Sequence, residues 1–449
     1  MFKLDLIKIF GVQNKTGLIK KNIYSSIFLK GISILLSLLI VPLTINYISA
    51  YKYGIWLTIS SIVGWINFFD IGFGNGLKNR LVEVIANNKY KIARIYISTT
   101  YAILTIIISS IWLILILTSN FINWRSFLNT DKVSNSELNS IILIVITTFA
   151  IQFVLNLINT ILSAFHKTYI TSIINVLIQF FLLIIIFLLK LRYVGSLIGL
   201  SVSLGLVNIS ILTLFTIYLF STKFKQFAPS FKYIRFKYSK DLIKVGISFF
   251  LLQIVALVYY ETNNLIITKL LGPLDVTVYN LAFKYVSILT MFFTIILTPF
   301  WPAFIQARVE NDFLWMESMK SKLYKTYFYM LLVCLVMILF SNLVYKIWFG
   351  NTVLIPFILT VLLSIWQILN IWNSLHSTLI YGFGKIKIQL YTSISIGVIN
   401  IPITIFMCSK YGLNGVVCSQ ILTSLIVSWI GPFQLNKLLN KTAIGFWNA

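Results

Sequence analysis

The chain has 449 residues, of which 59% are hydrophobic and 10% charged, with a mean hydropathy of +0.92. A water-soluble domain carries about 25% charged residues, so there is too little polar surface to wrap a soluble core, and lipid must be the solvent. The net charge of +25 does not point to nucleic acid. Its Lys and Arg fall in short tracts between apolar stretches, the pattern that sets membrane topology and favours anionic headgroups.

Residues 1–22 form a basic tail. Met1 to Lys21 holds five Lys and one Asp with no small-residue cleavage site, so it reads as a cytoplasmic tail and not a removable signal. A membrane-crossing helix needs about 20 mostly apolar residues. That length predicts spans over 23–48, 53–72, 96–118, 139–162, 168–189 and 195–220, an N-lobe of residues 23–222. A basic linker follows at 223–244, reading KFKQFAPSFKYIRFKYSKDLIK. Spans over 245–267, 276–299, 324–342, 353–375, 388–408 and 413–435 make a C-lobe of residues 245–436, and 437–449 is a second tail. The expectation is an all-α integral membrane protein with about twelve transmembrane helices.

With the N-terminus inside, the cytoplasmic loops and both tails hold 26 Lys and Arg against 8 outside. That bias places both termini in the cytoplasm. Two groups of six spans would be related as parallel repeats. Lys30-Gly-Ile-Ser opens the first group and Lys244-Val-Gly-Ile-Ser the second, and His166 and His376 sit just past spans four and ten.

Catalytic and metal chemistry finds no support. Cys334, Cys408 and Cys418 lie in apolar segments without CxxC spacing, and neither His has a carboxylate or Cys beside it in sequence. Phe69 to Gly76 is glycine-rich but lacks the phosphate-loop pattern, and its expected structure is a flexible helix exit.

Polar residues recur inside the spans at helical spacing, which collects them on one face. Span one carries Ser26, Lys30, Ser33, Ser37 and Thr44; span four Gln152, Asn156, Asn159 and Ser163; span five Thr168, Ser172, Asn175 and Gln179. Span eight carries Asn280, Lys284, Ser287, Thr294 and Thr298, and span ten Gln367, Asn370, Asn373 and Ser377. One such stripe is explained as well by helix–helix hydrogen bonding as by a cavity lining; five stripes favour a shared polar interior. Lys30 and Lys284 have two readings of their own. They snorkel or pair structurally, with Asp70 and Glu261 as available carboxylates, or they meet an anionic substrate group such as a phosphate.

Several landmarks then recur in a family-specific order. They are Tyr53-Gly-Ile-Trp-Leu-Thr with Gly64-Trp, and Asp70-Ile-Gly-Phe-Gly-Asn-Gly-Leu-Lys-Asn-Arg80. Next come Asn263-Asn-Leu-Ile-Ile, Leu271-Gly-Pro-Leu-Asp-Val-Thr-Val-Tyr279, Ala282-Phe-Lys-Tyr285 and Pro299-Phe-Trp-Pro-Ala303. Last are Tyr381-Gly-Phe-Gly-Lys-Ile-Lys-Ile-Gln-Leu390, Ile399-Asn-Ile-Pro402 and Tyr411-Gly-Leu-Asn-Gly-Val-Val417. Together they resemble the Wzx-type polysaccharide and O-antigen flippases of the MOP exporter superfamily, which also holds the MATE exporters. One departure is that family members often carry an acid where Asn263 stands, whereas the acid here is Glu261. Two residues turn a side chain about 200° around a helix, which puts a coupling role for Glu261 in question.

The resemblance implies two six-helix lobes around a central cavity that opens alternately to each side. It also implies transport of an undecaprenyl-pyrophosphate-linked oligosaccharide (an O-antigen or capsule repeat unit) from the inner to the outer leaflet of a bacterial plasma membrane. For that cargo, intramembrane position and helical phase select Lys30 and Lys284 for the pyrophosphate. Ser33, Ser37, Gln152, Asn156, Asn159, Asn175, Gln179 and Asn280 are selected for the sugar and cavity lining, with Asp70 and Glu261 for ion coupling or charge pairing. No cofactor is expected beyond a coupling ion, H+ or Na+. Expected partners are the lipid-linked substrate, membrane lipids and polysaccharide polymerase machinery. The rivals are a MATE-type small-molecule exporter, whose cationic cargo a lysine-bearing cavity would repel, and a membrane-embedded glycan-processing enzyme.

Overall fold

The computed structural model describes residues 15–66, 70, 72–165, 167–297, 300–350, 352–385 and 387–448. The tail at 1–14, the side chain of Ser26, His166, Phe69 and Ile71 of the glycine-rich stretch, and Pro299 lie outside the described residues.

Among the described residues the chain is helical with short connections. The helices are α1 (Lys15–Ile48), α2 (Ala50–Ile66), α3 (Phe73–Ala86), α4 (Tyr90–Ser119), α5 (Asn135–Leu155), α6 (Leu157–Ala164) and α7 (Thr168–Arg192). They continue as α8 (Leu197–Ser221), α9 (Ser239–Leu270), α10 (Pro273–Leu297), α11 (Phe300–Val309), α12 (Phe313–Phe349), α13 (Phe357–Gly382) and α14 (Lys387–Leu439). Local chemistry sets several starts. The side chain of Ser134 accepts the Glu137 N–H at 3.1 Å in a capping-box sequence, and Asp312 likewise caps Trp315 at 3.0 Å.

Gly412 breaks α14, with φ 59° and ψ −141°. That backbone region is essentially closed to side chains, so 387–411 and 413–439 are two helices meeting at the loop expected between the last two spans. Among the described residues nine helices are long and apolar enough to cross a membrane, with α5 and α6 forming one of them, and dividing α14 at Gly412 makes ten.

The outward faces confirm the solvent. Leu332, Leu335, Val336, Leu339 and Leu343 form an exposed apolar stripe along α12, and Leu339 is 76% exposed. Such a stripe would aggregate in water and is at home in hydrocarbon. Polar side chains take the opposite position: Gln420, Gln434, Thr404 and Ser419 are fully buried.

Two compact units divide the chain. The first holds residues up to Ser49, then Val63–Phe127 and Asp131–Gln253. The second holds Ala50–Ile62, Leu128–Thr130 and Ile254–Ala449. In the first, α1 packs along α7, and α5 and α7 each pack on α8. In the second, α13 is the hub, touching α10, α11, α12 and α14.

One expectation is corrected. From Phe73 on, the glycine-rich stretch after span two is not a flexible exit but a new helix, α3. The carboxylate of Asp70 accepts the Gly74 N–H through both oxygens, at 2.8 and 3.1 Å, satisfying a backbone donor that a helix start leaves orphaned. Leu77, Leu81 and Ile85 are buried along one face while Lys78, Asn79 and Glu83 are exposed. Phe73–Ala86 is thus an amphipathic helix, too short and too charged to be part of a span.

Candidate functional site

In the first unit α1 and α7 enclose a cavity of about 180 Å³, lined by Leu29, Lys30, Ser33, Ser163, Thr168, Thr171, Ser172 and Asn175. Lys30 and Ser33 lie one turn apart on α1. Thr168, Thr171, Ser172 and Asn175 occupy the first two turns of α7, whose N-cap, Lys167, supplies no side-chain bond to the orphan backbone N–H groups there. A helix start attracts anions, and the Lys30 ammonium shares the cavity. The Ser33 hydroxyl donates to Gln179 Oε1 at 2.9 Å, and the Ser163 and Ser172 hydroxyls donate to their own helices. Thr171 Oγ1 is buried and has no hydrogen-bond partner among the described residues. Buried hydroxyls are seldom left so. This site can hold a hydrated or hydroxylated anion, and nothing in it would activate a nucleophile.

Of the residues expected to line a cavity, the structure brings Lys30, Ser33 and Asn175 together, with Gln179 holding Ser33. Asn159 lies one turn from Ser163 and donates to Asn156 Oδ1 at 3.1 Å. Gln152 and Asn156 instead mark the break between α5 and α6, where the Asn156 N–H donates to the Gln152 carbonyl at 2.8 Å. The Ser37 hydroxyl donates to the Ile34 carbonyl at 2.8 Å. Sequence reasoning passed over Thr171. Its signal was present, since it stands three residues after Thr168 and four before Asn175 on the same helical face.

The stripes of the second unit serve a different purpose. Asn280 gives its amide hydrogens to the Val276 carbonyl and to Asn264 Oδ1, at 2.8 and 2.7 Å. Asn264 donates in turn to Ser61 Oγ at 2.8 Å, and the Ser61 hydroxyl bonds the Glu261 carboxylate. The result is a one-way chain of donors ending on a carboxylate and joining α2, α9 and α10. Span ten is likewise committed: Gln367 accepts from Thr290, Asn373 Oδ1 accepts from Ser428 at 3.0 Å, and its amide donates to the Ser424 carbonyl at 3.3 Å. His376 donates from Nδ1 to the Trp372 carbonyl at 2.8 Å and meets the Tyr324 hydroxyl at Nε2, also at 2.8 Å. Among these, helix–helix bonding explains the polar residues. Lys284 is half-buried on α10.

Ser61→Ala tests the donor chain, because it strands the Asn264 amide and a carboxylate at once. An unmade buried bond costs about 1–3 kcal/mol, so the purified protein should melt several degrees lower. An unchanged melt would show that water replaces the hydroxyl freely.

Residues 19–308, more than half of the chain, match the family described as "Polysaccharide biosynthesis protein". A Yersinia pseudotuberculosis protein named "Putative O-antigen export protein" is 25% identical over 427 residues, which cover 91% of this chain and 94% of that protein. Among solved structures, an inward-facing multidrug resistance MATE family transporter of the MOP superfamily matches with a TM-score of 0.70 at 14% identity, over 93% of this chain and 96% of that one. An outward-facing MATE transporter of the same superfamily matches at 0.64 with 16% identity, over 95% and 97%. At such identities the solved structures establish the fold, and the family match establishes the kinship. The chain belongs to the polysaccharide biosynthesis protein family and is a multi-pass membrane protein with the fold of the solved MATE transporters.

Proposed function

We propose that the chain is a flippase, moving an undecaprenyl-pyrophosphate-linked oligosaccharide, an O-antigen or capsule repeat unit, from the inner to the outer leaflet of a bacterial plasma membrane. The observation that carries this reading is the cavity in which Lys30 stands among hydroxyls and an amide at the start of α7. A sugar needs many neutral hydrogen-bonding groups and a pyrophosphate needs cations. The lipid tail would stay in the bilayer throughout. The relative described as an O-antigen exporter favours a glycan cargo over a drug. The solved MATE structures speak for the fold only, and a lysine in the cavity disfavours cationic compounds.

Both termini are cytoplasmic in this reading, which follows the 26-to-8 distribution of basic residues. Transport proceeds by alternating access driven by an H+ or Na+ gradient. The ion response is assigned to Glu261, whose carboxylate ends the Ser61 donor chain, and not to Asp70, which caps the backbone of α3. The flipped repeat unit would pass to polymerase machinery at the outer leaflet. This is a transport function, not catalysis.

Proteoliposomes carrying a fluorescent lipid-linked oligosaccharide test it. The protein should expose inner-leaflet glycan to an added glycan-cleaving enzyme, while an entrapped cationic dye stays inside. Dye export without glycan exposure would reverse the assignment in favour of a drug exporter.

A further inference from the structure

The basic segment joining α8 to α9 is a built strap, fastened on one side and exposed on the other, where the Arg235 side chain donates to carbonyls of the strap itself, those of Lys232 and Ile234. Phe224 and Phe227 are fully buried, and both rings pack on Phe165, at 4.7 and 5.1 Å between centroids. Backbone bonds fix the strap to α4. Arg94 Nε donates to the Ala228 carbonyl at 2.9 Å, the Ser230 N–H to Ser98 Oγ at 3.1 Å, and the Arg235 N–H to Thr99 Oγ1 at 3.0 Å. The Arg94 guanidinium also lies 4.4 Å over the ring of Tyr233.

The outer side carries Lys223, Lys225, Lys232, Arg235, Lys237 and Lys240, all exposed, together with Phe231 at 92% and Phe236 at 55% exposure. Asp241 is the one acid between Lys223 and Lys244, and it is already engaged. It accepts from Arg80 on α3 and from the Tyr96 hydroxyl on α4, the latter at 2.6 Å. Burial pushes its carboxyl up, but the Tyr96 and Arg80 bonds outweigh that and hold it below the ordinary range. The anion is thus spent inside the fold, and no ion pair offsets the six exposed cations of the strap among the described residues. Repulsion is evident nearby. Burial holds the Lys167 ammonium below the ordinary lysine range, and the charge of Lys223 lowers it further.

Cations alternating with bare phenylalanines are the composition of segments that lie in a membrane interface. The strap also follows directly on α8, a helix long and apolar enough to cross a membrane, and residues just past the end of such a helix fall at the headgroups. We propose that this strap binds acidic phospholipid headgroups, with Lys232, Arg235 and Lys237 on the phosphates and the rings of Phe231 and Phe236 seated at the acyl boundary. Neutral lipid satisfies only the rings and a soluble anion only the cations; an acidic phospholipid satisfies both. The proposal is independent of the cargo: it stands if glycan is not flipped, and its failure leaves the flippase reading intact.

The full-length protein in neutral detergent is titrated with phosphatidylglycerol, phosphatidylcholine or inorganic pyrophosphate while its melting is followed. Phosphatidylglycerol should raise the melting temperature and phosphatidylcholine should not. Each basic residue near an anionic surface contributes about fivefold in affinity. Lys232→Ala/Arg235→Ala/Lys237→Ala should therefore need on the order of a hundredfold more phosphatidylglycerol for the same shift. Phe231→Ser/Phe236→Ser, which keeps every charge and removes two exposed rings, should also weaken the response. Equal stabilisation by pyrophosphate would overturn the lipid assignment in favour of a free-phosphate site. An undiminished phosphatidylglycerol response in either variant would overturn it as well.

Discussion

Lys30→Ala should abolish surface glycan while the protein stays in the membrane at its normal level. The Lys30 side chain is exposed to the cavity, so its loss removes no packing. What it removes is a charge-assisted bond of about 1.5–3 kcal/mol to the cargo, or roughly ten- to a hundredfold in affinity. Lys30→Arg keeps the cation and should retain most of the activity. A merely snorkelling lysine would also tolerate Arg, but it would tolerate Ala too, and that contrast separates the two readings. Lys284→Ala is expected to follow Lys30→Ala in the same complementation assay, read by glycan staining beside an immunoblot for protein level. Normal glycan in both alanine variants would sink the pyrophosphate assignment.

Gly54→Ala should be among the most damaging single-methyl additions in the chain. Alanine in a helix interior ordinarily gains about 0.5–1 kcal/mol over glycine. At Gly54, however, an added Cβ would lie 1.7 Å from the Pro273 carbonyl oxygen and 2.9 Å from Thr277 Oγ1. Both are pinned: Pro273 opens α10, and the Thr277 hydroxyl donates to the Ala50 carbonyl at 2.6 Å. Backbone has to yield, at a cost of about 3 kcal/mol. The expected result is a melting temperature lowered by many degrees and a reduced membrane level. Gly31→Ala on α1 is the control, because nothing stands within 4 Å of its added Cβ, and it should melt at or above the wild-type temperature. Equal melting of the two variants would show that α2 and α10 do not need this close approach. The pair also gives a physical meaning to two landmarks of the family resemblance, Tyr53-Gly-Ile-Trp and Leu271-Gly-Pro, which are the two sides of one contact.

Composition and apolar run length determined a good deal by themselves. They gave lipid as the solvent, a chain of apolar helices with short connections, and a last pair of helices separated near Gly412. These are local properties: hydropathy over about 20 residues, and a glycine whose positive φ no other residue readily adopts. Helical phase also put Lys30 and Ser33 on one face of α1 and Asn175 on the polar face of α7, faces that line one cavity. Phase does not say which helix lies opposite, and there the tertiary structure decided. It turned the α1 and α7 stripes into a cavity but bonded Asn280 of α10 to α9, and Gln367 and Asn373 of α13 to α10 and α14. It made Asp70 a cap for α3. It closed the chain from Asn280 through Asn264 to Ser61 and Glu261 by joining residues 203 positions apart. It bound the strap's one acid to an arginine 161 positions away, leaving its cations outward. A polar side chain in a span looks the same in sequence whether it bonds a neighbour or faces a cavity. Only the neighbour that folding brings to it settles which.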